Sequence, residues 1–266
     1  MKLDFRGRRA LVTGAASGIG RAVCRALLAE GCTVFAFDRD ASGLSSLARD
    51  GSVPKEPLSG APGGTPDAGT LRAVVVELCE EQAVREACDE LAREAGALDL
   101  LVSCAGVSGP VGTPLELTQL DAWRQVMDVN VLAPFLLFKH TLPLLREGHD
   151  PAVVLLASDS AVVTAPGMAP YCASKAALVQ LGRAAAVEWE RYGIRVNSLC
   201  PSVVDTPMSR GDLGLPHGFS GSAYPVQTAD DVAGQVLVLL SPLLSPVTGT
   251  ALLSDFGYSA RSGFPA

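Results

Sequence analysis

The sequence predicts an α/β fold: a doubly wound, seven-stranded parallel sheet with helices on both faces. Short apolar runs rich in β-branched residues alternate along the chain with longer segments of helical periodicity. The short runs are apolar on both faces and end at Gly, Pro, Asp or Asn, as strands covered on both sides do. Repeated strand–helix alternation favours a parallel sheet with right-handed crossovers. The 266 residues suit one domain, 1–266.

The predicted strands share a short length and an apolar, β-branched character. They are residues 9–13, 33–37, 71–77, 98–103, 152–157, 194–199 and 248–253.

The predicted helices are recognised by apolar residues at spacings of three and four. In 80–95, Val84, Cys88 and Leu91 form part of one apolar stripe along a helix. The other predicted helices are residues 18–30, 118–146, 171–192 and 229–240.

Two segments interrupt this alternation. Residues 51–70 contain five Gly and four Pro, which predicts a flexible, disordered surface insertion. Residues 201–227 interleave glycines with apolar residues such as Leu213 and Phe219, which is typical of a lid over a ligand. We therefore interpret 201–227 as a substrate-binding loop, with a plain connecting loop as the alternative.

Composition excludes several classes of protein. Lys+Arg 21 against Asp+Glu 28 gives a net charge of −7, so no basic surplus is present to bind nucleic acid. The apolar run 131–138 is far shorter than the roughly 18 residues of a membrane span. The seven cysteines form no C-x-x-C pair and the three histidines are scattered, so we expect no metal site. We expect a cytoplasmic protein with reduced thiols and without a secretory leader.

A glycine-rich turn follows the first predicted strand. Gly14, Gly18 and Gly20 allow a tight turn and the close approach of a pyrophosphate to the N-terminus of the next helix. Asp38 ends the second strand, eighteen residues after Gly20, where a carboxylate accepts the ribose hydroxyls of an adenine dinucleotide. The pattern predicts a dinucleotide site.

Tyr171 and Lys175 are four residues apart in a predicted helix and so share one face. An ammonium near a phenol lowers the phenol pKa from about 10, which lets tyrosine act as a general acid or base. Taken alone, such a pair is equally typical of a solvated helix surface.

Together, the turn and the Tyr171/Lys175 pair make the sequence similar to the short-chain dehydrogenase/reductase family, from residue 7 to about residue 258. The resemblance implies a Rossmann-like fold in which Ser158, thirteen residues before Tyr171, binds the substrate oxygen. It also implies that Asn130 completes a catalytic tetrad, anchoring a water that passes the proton to solvent, and that Lys175 holds the nicotinamide ribose.

The same resemblance implies the cofactor contacts. Val204 and Thr206 match the positions that hold the nicotinamide carboxamide. Asp38, with Ser17 where NADP-preferring members have a basic residue, favours NAD over NADP. Arg39 is the counterargument, since its guanidinium could reach a 2′-phosphate. The other predicted cofactor contacts are Gly14, Gly18, Ile19, Gly20, Glu77, Leu78, Cys104, Ala105, Gly106, Tyr171, Lys175 and Pro201.

The sequence departs from the family pattern after three strands. Cys104 stands where the family has the Asn of Asn-Ala-Gly, so we expect a looser hydrogen-bond network there. Pro201 is followed by Ser202 rather than Gly, and Glu77-Leu78 replaces Asp-Val.

We expect an NAD-dependent oxidoreductase that interconverts a secondary alcohol and a ketone. The alternatives are a dinucleotide-binding protein without redox turnover, and a dehydratase or epimerase of the same family. The resemblance implies a small-molecule substrate and assembly as a homotetramer; a homodimer is the other assembly considered.

Overall fold

Nine strands form one large and one small parallel sheet in the computed structural model, which describes residue 3 and residues 5–50 and 69–261. The strands are β1 (Arg9–Thr13), β2 (Thr33–Asp38), β3 (Thr70–Val75), β4 (Leu100–Ser103), β5 (Ala152–Leu156), β6 (Arg195–Pro201), β7 (Val204–Asp205), β8 (Gln227–Thr228) and β9 (Ala251–Ser254). The large sheet has the order β3-β2-β1-β4-β5-β6-β9. The predicted seven-stranded parallel sheet is confirmed.

Helices cover both faces of this sheet. They are α1 (Gly18–Ala29), α2 (Ala41–Arg49), α3 (Glu81–Ala95), α4 (Leu120–Met127), α5 (Ala133–Arg146), α6 (Ala169–Trp189), α7 (Pro207–Asp212) and α8 (Ala229–Leu240). Buried side chains of α1, α2 and α8 form the core on one face, and those of α3, α5 and α6 form the core on the other.

The strand order reverses between β1 and β4, because β1 pairs with β2 on one side and with β4 on the other. In such sheets the loops leaving the two central strands diverge and open a crevice at their carboxyl ends. A Cβ on Gly14 would lie 2.8 Å from the Ala105 nitrogen, so these two loops are packed closely at their base. The crevice is where a ligand is expected.

The segment predicted as one helix over 118–146 is helical from Leu120 to Arg146, but it is not a single α-helix. A π-helical turn, Asp128–Leu132, separates α4 from α5 and carries Asn130. Single π turns often occur at functional sites, since they redirect a side chain without ending the helix. Apolar periodicity continues through the turn, which is why the sequence suggested a single helix.

Two further expectations need correction. The edge strands β3 and β9 are not covered on both faces: Val75 is 60% exposed and Leu252 is 43% exposed. Helix α2 was not predicted, because it is short and polar and buries only Leu44 and Leu47.

The two irregular segments differ in what can be described. Residues 51–68 lie outside the described residues, and Thr70, the last residue of the predicted insertion, begins β3. The segment 201–227 is anchored at both ends, since β7 pairs in parallel with β8. Thr206 caps α7 inside this segment by accepting a hydrogen bond from the Ser209 nitrogen.

Candidate active site

The turn after β1 leaves the N-terminus of α1 open. Gly14 and Gly18 have left-handed backbone, with φ of +65° and +50°. A Cβ on Gly20 would lie 2.1 Å from the Gly14 carbonyl oxygen, so only glycine fits there. The Ser17 side chain caps none of the α1 N–H groups, and the first turn of the helix contains no acidic residue. These N–H groups are thus available to an anion such as a pyrophosphate.

Asp38 is held in place by the main chain. Its Oδ2 accepts a hydrogen bond from the Ala16 nitrogen and its Oδ1 from the Asp40 nitrogen, each at 2.9 Å. A carboxylate has about four acceptor positions, so each oxygen keeps one for a ligand hydroxyl. Beside it, the Arg39 guanidinium lies 3.9 Å from the Glu77 carboxylate, an exposed pair at the mouth of the groove.

These groups line a groove of about 250 Å³. It contains thirteen of the predicted cofactor contacts: Gly14, Ser17, Gly18, Ile19, Gly20, Asp38, Arg39, Glu77, Leu78, Cys104, Ala105, Gly106 and Thr206. Sequence reasoning missed Val76, Cys79, Val107, Val129, Pro207 and Met208, which also line it. The groove suits an adenine dinucleotide, because the open N-terminus of α1 can bind the pyrophosphate and the Asp38 carboxylate can accept the ribose hydroxyls.

The loop after β4 is held by the hydroxyl of Thr13. The main-chain nitrogens of Cys104 and Ala105 donate to Thr13 Oγ1 at 3.2 and 3.3 Å. Burial raises the pKa of the Cys104 thiol to about 12, so it stays protonated at neutral pH. Thr13 therefore supplies main-chain anchoring at the position where the family asparagine is missing.

Asn130 is buried in the π turn and joins three elements. Its Oδ1 accepts from the Val107 nitrogen, and its Nδ2 donates to the Val107 oxygen and to Ser174 Oγ, each at 2.9 Å. Both Nδ2 hydrogens are used by protein groups, so a proton-relay water can bind only the second lone pair of Oδ1 or the main chain. The side chain thus positions the loop after β4 against α6.

A second cavity of about 750 Å³ adjoins the groove and shares Ile19, Cys104, Gly106 and Thr206 with it. The remaining predicted site residues line this cleft: Ser158, Tyr171, Lys175, Pro201 and Val204. Tyr171 lies in the first turn of α6 and Lys175 one turn later. The buried Lys175 Nζ donates to the Leu156 oxygen at 2.9 Å and lies 5.6 Å from the centroid of the Tyr171 ring. The pair thus faces a cleft and is not solvated on a helix surface.

The pKa of Tyr171 moves against the expectation from the sequence. Burial raises it to about 12, because the phenolate loses solvation, and the negative charges of Asp159 and Asp212 act in the same direction. Burial also lowers the pKa of Lys175 to about 8. Desolvation thus dominates the phenol pKa, and the sequence spacing alone could not determine its strength.

Ser158 begins the short 3₁₀ turn Asp159–Ala161 at the end of β5. Its Oγ donates to Asp159 Oδ1 at 3.0 Å and accepts from the Ser160 nitrogen at 3.1 Å. The hydroxyl proton of Ser158 is therefore directed at a carboxylate that sequence reasoning did not single out. Asp159 directly follows Ser158 in the sequence, and this adjacency could have identified it as a site residue.

Other cleft residues were also missed by the sequence analysis. The 201–227 segment contributes Met208, Ser209, Asp212 and Leu213, and the chain after β9 contributes Tyr258, Ser259 and Arg261. The interpretation of 201–227 as a lid had indicated the residues of that segment. The residues after β9 reach the cleft only through the tertiary fold, so no local pattern indicated them.

The described residues contain no group of three or more His, Cys, Asp or Glu arranged to hold a metal ion. Among the helices of the described ranges, none combines the length and the apolar character needed to cross a membrane.

Comparison with known proteins identifies the family. A family model described as Enoyl-(Acyl carrier protein) reductase matches residues 14–259. D-threitol dehydrogenase of Mycolicibacterium smegmatis is 32% identical over 268 residues, covering 97% of this chain and 96% of the relative. A short-chain type dehydrogenase/reductase from Mycobacterium ulcerans has a TM-score of 0.83 at 28% identity, over 98% of this chain and 93% of that one.

A third similar protein was solved with a nicotinamide cofactor. The 3-ketoacyl-(acyl-carrier-protein) reductase from Brucella melitensis, complexed with NADH, has a TM-score of 0.82 at 28% identity, over 96% of this chain and 100% of that one. Together with the groove and the Tyr171/Lys175 cleft, these matches show that the chain belongs to the short-chain dehydrogenase/reductase family, whose members bind NAD(P), and is an oxidoreductase acting on CH–OH groups.

Proposed function

We propose that the protein interconverts a secondary alcohol and a ketone with NAD(H), using Tyr171 as the general acid and base. The observation that carries this proposal is the placement of Ser158, Tyr171 and Lys175 around one cleft that opens onto the dinucleotide groove. The threitol dehydrogenase among the relatives supports an alcohol substrate.

Each group has a task that its contacts support. Ser158 orients the substrate oxygen, and Tyr171 gives or takes the proton on that oxygen. Lys175 holds the nicotinamide ribose and places a positive charge near the phenol, while Asn130 positions the loop after β4. NAD, when bound, supplies the hydride acceptor. Fixing the reacting groups in one geometry provides much of the rate.

The rate in each direction depends on the protonation state of Tyr171. With a pKa of about 12, the phenol is protonated at neutral pH and ready to donate to a ketone oxygen. Alcohol oxidation needs the phenolate, so its rate is expected to rise with pH through the alkaline range.

The preference for NAD over NADP rests on Asp38. Its carboxylate is held at the end of β2 by the Ala16 and Asp40 nitrogens, where it accepts the ribose hydroxyls and repels a 2′-phosphate. The nearest cation, Arg39, is paired with Glu77 at 3.9 Å.

The test is Tyr171→Phe, assayed by NADH formation on a panel of secondary alcohols. We expect kcat to fall by about 10²–10⁴-fold, because only the phenolic oxygen handles the proton, while NADH binding measured by fluorescence is unchanged. Tyr192→Phe, outside the cleft, is the matched control. Near-normal kcat in the Tyr171 variant refutes the mechanism.

The alternatives give different results in the same assay. NADH binding without turnover of any alcohol identifies a binding protein without redox activity. Conversion of substrate without net NADH identifies a dehydratase or epimerase, and product analysis then separates these two.

We further infer self-association and a reducing cytoplasmic compartment. Phe135 and Val187 are exposed apolar side chains on α5 and α6, which suits assembly as a homotetramer or homodimer; a monomeric mass in solution contradicts this. All seven cysteines are free thiols, which is typical of the cytoplasm; a secreted, disulfide-bonded product contradicts that inference.

A further inference from the structure

Asp159 lies beside the reacting groups and keeps part of its hydrogen-bonding capacity. Its Oδ1 accepts the Ser158 hydroxyl at 3.0 Å. This hydrogen bond fills one of the roughly four acceptor positions of a carboxylate. The side chain is half-buried and lines the cleft, so it can accept further hydrogen bonds from a ligand.

A second carboxylate reinforces the negative charge of this region. Asp212 ends α7, lines the same cleft and accepts a hydrogen bond from the Ser108 hydroxyl at 2.5 Å. Tyr171 lines this cleft with Asp159 and Asp212, and the charges of both carboxylates act to raise the pKa of its phenol. A substrate oxygen that contacts Tyr171 therefore shares the cleft with two acidic side chains.

The other charged and apolar groups of the cleft are placed differently. Lys175 lines the cleft as a buried side chain whose Nζ donates to the Leu156 oxygen, and Arg261 is an exposed residue of the cleft lining. Asp255 also acts on the Asp159 carboxylate and adds to the negative potential. Apolar side chains form much of the remaining wall: Val107, Val111, Val163, Met168, Val203 and Leu213. The cleft thus combines an apolar wall with one acidic corner at the reacting oxygen.

We propose that Asp159 is a specificity-determining residue that selects a vicinal diol over an alcohol that has no hydroxyl, or has a carboxylate, on the neighbouring carbon. The reacting hydroxyl contacts Ser158 and Tyr171, and the hydroxyl on the neighbouring carbon donates to Asp159. A carboxylate at that neighbouring carbon is repelled. The inference rests on the proposed function, since it concerns the substrate of the same cleft.

The wild-type enzyme tests this with three compounds that share one ring and a secondary alcohol. They are cyclohexanol, cyclohexane-1,2-diol and 2-hydroxycyclohexanecarboxylate, compared by kcat/KM for NADH formation at saturating NAD. We expect the diol to exceed cyclohexanol by about tenfold or more, the worth of one hydrogen bond to a charged group. The hydroxy acid should fall below cyclohexanol.

Two substitutions separate the hydrogen bond from the charge. Asp159→Ala should bring the ratio of diol to cyclohexanol close to one, because the acceptor is lost. Asp159→Asn should keep part of that ratio, because its carbonyl oxygen still accepts, and should raise the relative rate with the hydroxy acid. Asp121→Asn removes the same charge from a fully exposed position on α4 and should leave all ratios unchanged.

The ratios distinguish substrate selection from a role in positioning Ser158. If Asp159 only orients Ser158, its loss lowers kcat/KM for every compound alike and leaves the ratios at their wild-type values, which overturns the inference. Cyclohexanol performing as well as the diol with the wild-type enzyme overturns it too, while the proposed function stands. NADH formation from no secondary alcohol at all refutes the proposed function itself.

Discussion

Replacing Asp38 is expected to abolish the discrimination between NAD and NADP. In the structure this carboxylate ends β2, is oriented by two main-chain N–H groups at 2.9 Å, and faces the groove where the adenosine ribose is expected. It contributes in two ways, by accepting the ribose hydroxyls of NAD and by repelling the 2′-phosphate of NADP. The substitution to study is Asp38→Ala, with Asp38→Asn beside it.

The size of the effect follows from these two contributions. A hydrogen bond to a charged group is worth about 1.5–3 kcal/mol, so Asp38→Ala should lower kcat/KM for NAD by about 10- to 150-fold. Two unit charges about 4 Å apart repel by about 1 kcal/mol in water and about 4 kcal/mol at an effective dielectric constant of 20. The wild-type enzyme should therefore prefer NAD by at least tenfold, and the Ala variant should show little preference.

The assay is kcat/KM for both cofactors on one substrate, for the wild-type and both variants. Asp38→Asn keeps an oxygen for the Ala16 nitrogen and removes the charge, so it separates repulsion from loss of the turn's anchoring. Arg39→Ala is the control for the neighbouring cation, which is paired with Glu77. Equal wild-type values for the two cofactors, or an unchanged ratio in Asp38→Ala, would refute the assignment.

Three other substitutions probe the cofactor site and the stability of the fold. Lys175→Ala should weaken NADH binding measured by fluorescence, because the buried amine proposed to hold the nicotinamide ribose is lost; an unchanged affinity contradicts this. Gly20→Ala should abolish NADH binding measured by fluorescence, since its Cβ would lie 2.1 Å from a main-chain oxygen, whereas Gly234→Ala has open space and should bind normally. Arg9→Met should lower the free energy of unfolding by about 3 kcal/mol at pH 7, because it removes the partner of the buried Asp99 carboxylate. Burial raises the Asp99 pKa, but hydrogen bonds from Arg9 and from main-chain nitrogens outweigh burial and hold the pKa below its usual range. The stabilisation is therefore fully present above the unfolded-state pKa of about 4, and it is lost as the pH falls through the lower pKa of the folded protein. Urea unfolding should therefore show a smaller difference between variant and wild-type at acidic pH, and a difference independent of pH contradicts the reasoning.

Local sequence patterns were enough to predict the regular elements that carry their own signals. Strand β1 and helix α8 have the predicted bounds, 9–13 and 229–240. In α8 the start is encoded by Thr228 and Asp231, which form a reciprocal capping box, and the interior by its apolar residues. The glycine turn was also readable, since positive φ and close packing admit few residues other than glycine. These features depend on neighbours within a few positions along the chain.

The pairing of β7 with β8, by contrast, was decided only by the tertiary structure. The two strands have two residues each and lie more than twenty positions apart, so neither carries a periodic signal of its own. Helix α2 was missed for a related reason. It buries only Leu44 and Leu47, which is too few apolar residues to show a helical period in the sequence, and its stability depends on their packing.

The chemistry of the site likewise depends partly on local sequence and partly on the tertiary structure. The sequence by itself determined which side chains are available: a tyrosine and a lysine one helical turn apart, a serine ahead of them and an acid after the second strand. Only the tertiary structure decided their electrostatic state, because desolvation and neighbouring charges depend on what the fold brings together. Burial raises the pKa of Tyr171 although Lys175 is near, and Asp159 and Asp212, more than fifty residues apart, add to that rise. Spacing along a chain specifies which groups can meet, whereas the dielectric environment in which they meet is a property of the packed molecule.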